Sequence, residues 1–215
     1  MAQIFPQWTN KTPRILLILA FLVIAAIVVF FWYFGSPKYT DVGYKPKQPV
    51  PYSHKLHAGE LGIDCRYCHW AVELTTGANV PSTRTCMNCH KLILTNSEKL
   101  ALLRESFANN VPIKWIRVHL LPDYVYFDHS AHLSAGVGCI SCHGNVAEMG
   151  IVSQTQPLSM GWCLDCHRNP APHIRPVNEI TNMKWQPPRE QPELVLQVIS
   201  EKNINPPVDC SGCHR

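Results

Sequence analysis

All ten cysteines of this chain fall into one repeated pattern. Each belongs to a Cys-x-x-Cys-His motif, and the five motifs occupy residues 65–69, 86–90, 139–143, 163–167 and 210–214. Two thiols at this spacing can form thioethers with the two vinyl groups of one porphyrin, and the histidine that follows can bind its iron. The pattern predicts five covalently attached haem c groups. We number the motifs 1 to 5 in chain order.

Other uses of paired cysteines explain less of this pattern. Cys-x-x-Cys pairs also bind zinc, and exported chains form disulfides, but neither use requires a histidine after every second cysteine. The residues predicted to carry the thioether bonds are Cys65, Cys68, Cys86, Cys89, Cys139, Cys142, Cys163, Cys166, Cys210 and Cys213. The histidines predicted to bind iron from the motif side, termed proximal, are His69, His90, His143, His167 and His214.

Six histidines lie outside the motifs and are candidates for the opposite, distal side of each iron. They are His54, His57, His119, His129, His132 and His173. Four of them form two His-x-x-His pairs, and residues three apart share one face of a helical turn, so each pair can address two neighbouring irons. Met149 and Met160 are alternative distal ligands, since a thioether raises the reduction potential, although both could simply pack. If one iron takes a methionine, two histidines are spare.

The motifs belong to an internal repeat. An aromatic residue, a His-x-x-His pair, a glycine-containing loop and two Cys-x-x-Cys-His motifs occur twice, with His54 and His129 offset by 75 positions. This regularity predicts two duplicated two-haem modules, at about residues 52–95 and 127–175, with the fifth motif at 210–214 appended. A fixed period implies stacked similar units, so we expect the haems to form a chain.

A long apolar segment near the N-terminus predicts a membrane anchor. Residues 15–34 carry no charge and are long enough to cross the ~30 Å hydrocarbon core as a helix. Lys11 and Arg14 precede the segment, and aromatic residues 32–34 end it. A cleaved signal peptide is the alternative, but the run is longer than usual and no small-x-small cleavage site follows. We expect a single-pass anchor with a cytoplasmic N-terminus at 1–36, and a haem domain at 37–215 on the periplasmic side of the bacterial inner membrane, where haem is attached.

The rest of the chain lacks the periodic apolar segments of an ordinary core and contains many of the 18 prolines. The predicted fold is a multihaem cytochrome c, mostly irregular with short α-helices wrapped around the haems. One helix is expected from a capping box at Thr95 and Glu98 to about Phe107, and another from Pro192. The formal charge of +4 counts no cofactor, and each ferric haem with ionised propionates adds roughly −1. No nucleic-acid partner is expected.

Two stretches, residues 118–132 and 157–170, carry a family resemblance. With the N-terminal helix and the five motifs, they resemble the pentahaem cytochrome c subunit of bacterial alternative complex III, which is related to multihaem subunits of quinone reductase complexes in sulfate reducers. The resemblance implies a quinol:electron-acceptor oxidoreductase with an iron–sulfur subunit, quinol-binding membrane subunits and a monohaem cytochrome c as partners. It also implies that His54 is the distal ligand at motif 1 and His129 at motif 3, while His57 and His132 serve other haems.

Two classes of function remain to be compared. The first is an electron-transfer subunit that relays electrons to a periplasmic cytochrome c or another acceptor and has no catalytic site of its own. The alternative is a self-sufficient, membrane-anchored quinol dehydrogenase of the multihaem type. Such enzymes place the first motif soon after the membrane, whereas residues 35–64 intervene here. A Cys-x-x-Cys-Lys motif, often found in multihaem reductases, is absent from the sequence.

Overall fold

The structure is a computed structural model that describes residues 4–188 and 191–214, without the side chains at positions 191, 192 and 194. The chain divides into two compact units, the first ending at Val42 and the second beginning at Gly43. The domain limits expected from the sequence, 1–36 and 37–215, stay a prediction.

The first unit is built on one long helix. A 3-10 turn, Gln7–Lys11, runs into α1, Thr12–Phe34, and a short helix α2, Pro37–Thr40, follows. A proline lies in the first turn of α1, where no helical hydrogen bond needs its missing N–H. The α1 helix buries none of its residues, and its length and composition would allow it to cross a membrane.

The second unit consists of short helices joined by irregular chain. The α-helices are α3 (Cys65–Cys68), α4 (Thr83–His90), α5 (Ala101–Asn109), α6 (His129–Ser134), α7 (Cys139–His143), α8 (Met160–Arg168) and α9 (Gln191–Glu201). A π-helical segment, Lys55–Glu60, and 3-10 turns at Glu98–Leu100, Val146–Glu148, Ala171–His173, Val177–Glu179 and Cys210–Gly212 complete the order. Within residues 4–188 and 191–214 the chain forms no strand, and its only bridge pairs Val137 with Ile174.

The apolar core of the second unit is small. Val72, Leu133 and Ile180 form a buried cluster, with Ala78 and Cys139 packed against it. The cluster joins the two sequence modules, because Val72 follows motif 1 and Leu133 lies on α6. Such a core is small for a unit of this length. This agrees with the sequence-based expectation of a chain that packs around prosthetic groups.

The capping box predicted at Thr95 and Glu98 is wrong. The chain turns tightly one residue earlier, where Leu94 has a φ of 55°, and the Ser97 N–H donates to the Leu94 carbonyl at 3.0 Å. A 3-10 turn then starts at Glu98 without a side-chain cap, and α5 starts only at Ala101. The predicted end is confirmed, because Asn110 adopts a left-handed conformation with φ 53°.

The helix expected from Pro192 is confirmed as α9, which begins one residue earlier at Gln191. Val195 is its buried contact residue. The Leu194 side chain, which the sequence placed on the apolar stripe, lies outside the described residues.

Candidate haem-binding sites

Each Cys-x-x-Cys-His motif is folded into a helical turn. Motifs 1, 3 and 4 lie on α3, α7 and α8, motif 2 ends α4, and motif 5 forms the 3-10 turn Cys210–Gly212 with the two residues after it. In a helical turn residues three and four apart share a face, so the two thiols and the histidine point to the same side. Acidic side chains cap two of these turns: Asp64 accepts from the Arg66 N–H at 2.8 Å, and Asp209 accepts from the Gly212 N–H at 3.1 Å.

Four of the five proximal histidines have Nδ1 at hydrogen-bonding distance from a backbone carbonyl. The pairs are His69 with Asn79 at 2.6 Å, His90 with Ile93 at 3.2 Å, His167 with Pro207 at 2.7 Å and His214 with Tyr124 at 3.1 Å. A carbonyl can only accept, so Nδ1 must carry the proton. This fixes the tautomer and leaves the Nε2 lone pair to bind a metal. The hydrogen bonds of the protein therefore already hold these rings in the orientation of iron ligands.

The two His-x-x-His pairs have the same local geometry. The Tyr52 ring lies 4.8 Å from His54 at 89° and 4.5 Å from His57. In the second module the Phe127 ring lies 4.7 Å from His129 at 88° and 4.5 Å from His132. An aromatic ring thus fixes both histidines of each pair, which is why an aromatic residue precedes both pairs in the sequence.

The distal candidates are also oriented through Nδ1. Within each pair the second histidine contacts the carbonyl four residues earlier: His57 lies 2.9 Å from the Ser53 oxygen, and His132 lies 2.7 Å from the Asp128 oxygen. His129 contacts the Thr76 carbonyl of the other module at 2.8 Å. In all three, Nε2 is again the nitrogen left to bind iron.

Three pairs of imidazole rings face one another at a spacing that fits one iron. The ring centres of His57 and His90 are 6.2 Å apart, those of His129 and His143 6.3 Å, and those of His132 and His167 6.0 Å. Two imidazoles on opposite sides of one metal ion place their ring centres about 6.3 Å apart, since each metal–nitrogen bond is about 2.0 Å and each nitrogen lies about 1.15 Å from its ring centre. The residues present therefore fit bis-histidine iron at motifs 2, 3 and 4.

At motif 1 the corresponding histidine is His54. Burial lowers its pKa to about 4, and the next cause is the charge on His69, so the two rings lie near one another. A neutral imidazole is the form that binds a metal, and burial holds His54 in that form at neutral pH. His54 occupies in the first module the place that His129 occupies in the second.

His119 contacts a proximal histidine edge-on. Its Nε2 lies 3.4 Å from Nδ1 of His143, and the ring centres are 4.4 Å apart at 86°. This spacing is too short for the two rings to share one metal ion. Burial, followed by the charges on His119 and His129, lowers the pKa of His143 to about 3. At motif 3, His119 takes the position that a backbone carbonyl takes at the other four motifs.

The remaining distal candidates are placed as follows. His173 is exposed at the end of the turn Ala171–His173. Met149 is half-buried, with Sδ 4.0 Å from the Ser153 hydroxyl, and its carbonyl accepts from the Lys55 N–H at 3.0 Å. Met160 begins α8 and its side chain is 69% exposed. The assignment of a distal ligand to motif 5 stays a prediction from this set and His119.

The C-terminal part of the chain matches a known family. Residues 125–215 match the model described as "Cytochrome c7 and related cytochrome c". These residues include α6 and motifs 3, 4 and 5.

The chain is also 29% identical over 170 residues to the protein of Nitratidesulfovibrio vulgaris named "Menaquinone reductase, multiheme cytochrome c subunit". The aligned region covers 68% of this chain and 78% of that protein. The expectation of haem c is confirmed by these matches, and the number of five stays a prediction. The chain has the fold of the multihaem cytochromes c, which bind haem c covalently and take part in electron transport.

Proposed function

We propose that the chain is the electron-relay subunit of a membrane quinol:electron-acceptor oxidoreductase of the alternative complex III type, with one haem c at each of its five motifs. Bound haem c supplies a one-electron Fe(III)/Fe(II) couple. The observation that carries the proposal is the set of three facing imidazole pairs with ring centres 6.0 to 6.3 Å apart.

Each of these histidine pairs closes both faces of a metal site. A substrate needs an open coordination position, whereas an electron does not, so two firmly oriented imidazoles favour electron transfer over chemistry at the iron. The Nδ1 contacts of His57, His129 and His132 hold these rings in place as the metal changes its charge. At motifs 2, 3 and 4 this donor set therefore supports a relay rather than catalysis at the iron.

The quinone partner is supported by the relative from Nitratidesulfovibrio vulgaris, whose name assigns it to a menaquinone reductase. We propose that this chain assembles with an iron–sulfur subunit, quinol-binding membrane subunits and a monohaem cytochrome c, as the resemblance implies. The anchor would be α1, with Lys11 and Arg14 on the cytoplasmic side and the second unit in the periplasm. We propose the quinol-oxidising direction, with a periplasmic cytochrome c or another acceptor receiving the electrons.

The test uses the complex purified through this chain. A pyridine haemochrome assay on the isolated chain should give five haem c per polypeptide, and the complex should reduce added cytochrome c with a menaquinol analogue. The isolated chain should not oxidise the quinol. Quinol oxidation by the isolated chain would instead support the self-sufficient dehydrogenase. If the complex only reduced menaquinone at the expense of reduced cytochrome, the proposed direction would be wrong.

A further inference from the structure

We propose that the five motifs lie in space in the order 2–1–3–4–5, so that motif 2 and motif 5 are the two ends of the electron path. The inference rests on the proposed relay function and names its route. It differs from the order in the sequence, because the first motif of the chain becomes internal and the second becomes an end. Four contacts between consecutive motifs, one for each step, carry it.

Motifs 2 and 1 touch through residues that lie between their cysteines. Asn88, between Cys86 and Cys89, donates through Nδ2 to the Tyr67 hydroxyl at 3.1 Å. Tyr67 lies between Cys65 and Cys68. The distal candidates agree, since His54 and His57 lie one helical turn apart and His57 faces motif 2.

Motifs 1 and 3 are joined by two consecutive residues. The Thr181 hydroxyl donates to the Asp64 carboxylate at 3.0 Å, and Asp64 directly precedes motif 1. The Cys139 N–H donates to the Ile180 carbonyl at 3.0 Å, and Cys139 opens motif 3. The two motifs are thus held on the same dipeptide.

The contact between the modules that contain motifs 1 and 3 is reciprocal. The His129 N–H donates to the Thr76 carbonyl at 3.1 Å, and the Lys55 N–H donates to the Met149 carbonyl at 3.0 Å. The offset of 75 positions makes His129 equivalent to residue 54, which is next to Lys55, and Thr76 equivalent to residue 151, which is two residues from Met149. Each hydrogen bond therefore nearly repeats the other with the two modules exchanged.

The packing repeats this exchange. Val72 clusters with Leu133, and a Cβ at Gly59 would run into the Ala147 carbonyl. Val72 and Ala147 occupy equivalent positions. Each module therefore offers the same surface to the other, as the halves of a two-fold dimer do. Such a contact brings equivalent motifs together, here motif 1 and motif 3.

Motifs 3 and 4 are joined by α6. His129 faces His143 of motif 3 and His132 faces His167 of motif 4, with ring centres 6.3 and 6.0 Å apart. One helical turn therefore carries the distal side of both sites.

Motifs 4 and 5 meet at Pro207. His167 Nδ1 donates to the Pro207 carbonyl at 2.7 Å. The Pro207 ring packs against Gly212, which lies between the cysteines of motif 5, so closely that a Cβ there would clash with it. Motif 5 therefore extends the path beyond motif 4.

Exposure of the cysteines identifies the same two ends. Of the ten motif cysteines, all of which the structure describes, Cys89 and Cys210 are exposed and the other eight are partly buried. Cys89 belongs to motif 2 and Cys210 to motif 5. An order that followed the sequence would have placed motif 2 inside the path. We infer that one-electron carriers exchange electrons with this chain beside Cys89 and beside Cys210.

The test is a cryo-electron microscopy structure of the purified holo complex at a resolution that shows each iron. The iron bound by His69 is expected to have two nearest irons, those bound by His90 and His143. The irons bound by His90 and by His214 should each have only one neighbouring iron within the chain, because they lie at the two ends of the row. The order would be wrong if the iron at His90 lay between those at His69 and His143, or if the iron at His214 lay inside the row.

This result is independent of the assay for the proposed function. A complex that oxidises quinol but shows another order contradicts only the route. A complex with the expected order and no quinol activity in either direction contradicts only the proposed function.

Discussion

Replacing His132 with alanine should open one iron of the protein to external ligands. His132 faces His167 with ring centres 6.0 Å apart, and it shares its helical turn with His129, which serves another site. The substitution removes one of the two imidazoles at motif 4 only. Reduced iron with a free position binds carbon monoxide, whereas iron with two imidazoles does not. We expect His132→Ala to bind one equivalent of carbon monoxide per chain above the wild type.

The fold should survive this substitution. Alanine has the highest helix propensity, so α6 is retained. The losses are the ring contact with Phe127, whose centre lies 4.5 Å from that of His132, and the Nδ1 hydrogen bond to the Asp128 carbonyl, each worth about 1 kcal/mol. The haem content should therefore be unchanged in a pyridine haemochrome assay. An unchanged haem content would show that the new carbon monoxide site arises from a lost iron ligand and not from a lost haem.

The measurement is a carbon monoxide titration of the dithionite-reduced protein, with low-temperature electron paramagnetic resonance of the oxidised form. Ser134→Ala is the matched control, because Ser134 also lies on α6 and its hydroxyl donates to the Ala131 carbonyl of the same helix. It should add no equivalent. Added imidazole should restore the low-spin signal of His132→Ala. If His132→Ala bound no more carbon monoxide than the wild type and kept every low-spin signal, the assignment of His132 as a distal ligand would be refuted.

The remaining predictions concern other parts of the same unit. Combining His57→Ala with His132→Ala should add two equivalents of carbon monoxide in the same titration, because the two histidines serve irons in separate modules. Gly136→Ala should lower the free energy of unfolding by at least about 2 kcal/mol in a thermal melt, because φ is 91° and a Cβ would clash with a backbone carbonyl. Gly150→Ala, with open space at its Cβ position, is the control and should change stability by less than about 0.5 kcal/mol. His119→Leu should keep every iron low-spin and add no carbon monoxide equivalent, yet raise one reduction potential in a spectroelectrochemical titration, because the proximal histidine of motif 3 loses its Nδ1 partner. His119→Gln retains an acceptor and should restore most of that potential, whereas a new high-spin iron in either variant would make His119 a distal ligand.

The residue types of the candidate sites could be named from the sequence because they carry the chemistry themselves. A thioether needs a cysteine and the iron needs an imidazole, so the motifs and the His-x-x-His pairs can be recognised from residue type and spacing alone. The aromatic residue before each pair was visible for the same reason, since Tyr52 and Phe127 repeat at the module offset. The short helices and irregular chain followed from the prolines and from the missing apolar periodicity.

The orientation of the rings could not be predicted in the same way. The Nδ1 partners of His69 and His167 are the carbonyls of Asn79 and Pro207, and every residue carries a carbonyl. Their positions depend on how the loops fold, including a left-handed Asn79 with φ 56°. The capping box at Thr95 failed for a related reason, because a turn at Leu94 moved the helix start beyond the residues that matched the pattern.

The order 2–1–3–4 is symmetric about its centre, because each half runs from the first motif of a module at the centre to the second motif of that module at the end. Motif 1 corresponds to motif 3 and motif 2 to motif 4, so the modules meet through their first motifs and turn their second motifs outward. Tandem modules stacked in one direction would give 1–2–3–4 and would need two different contact surfaces. The reciprocal bonds from His129 to Thr76 and from Lys55 to Met149 show one surface used twice. A duplicated two-site unit that paired with its copy as a two-fold dimer would give this arrangement. Motif 5, which has no counterpart, then extends one end only, and this makes the two ends of the path different.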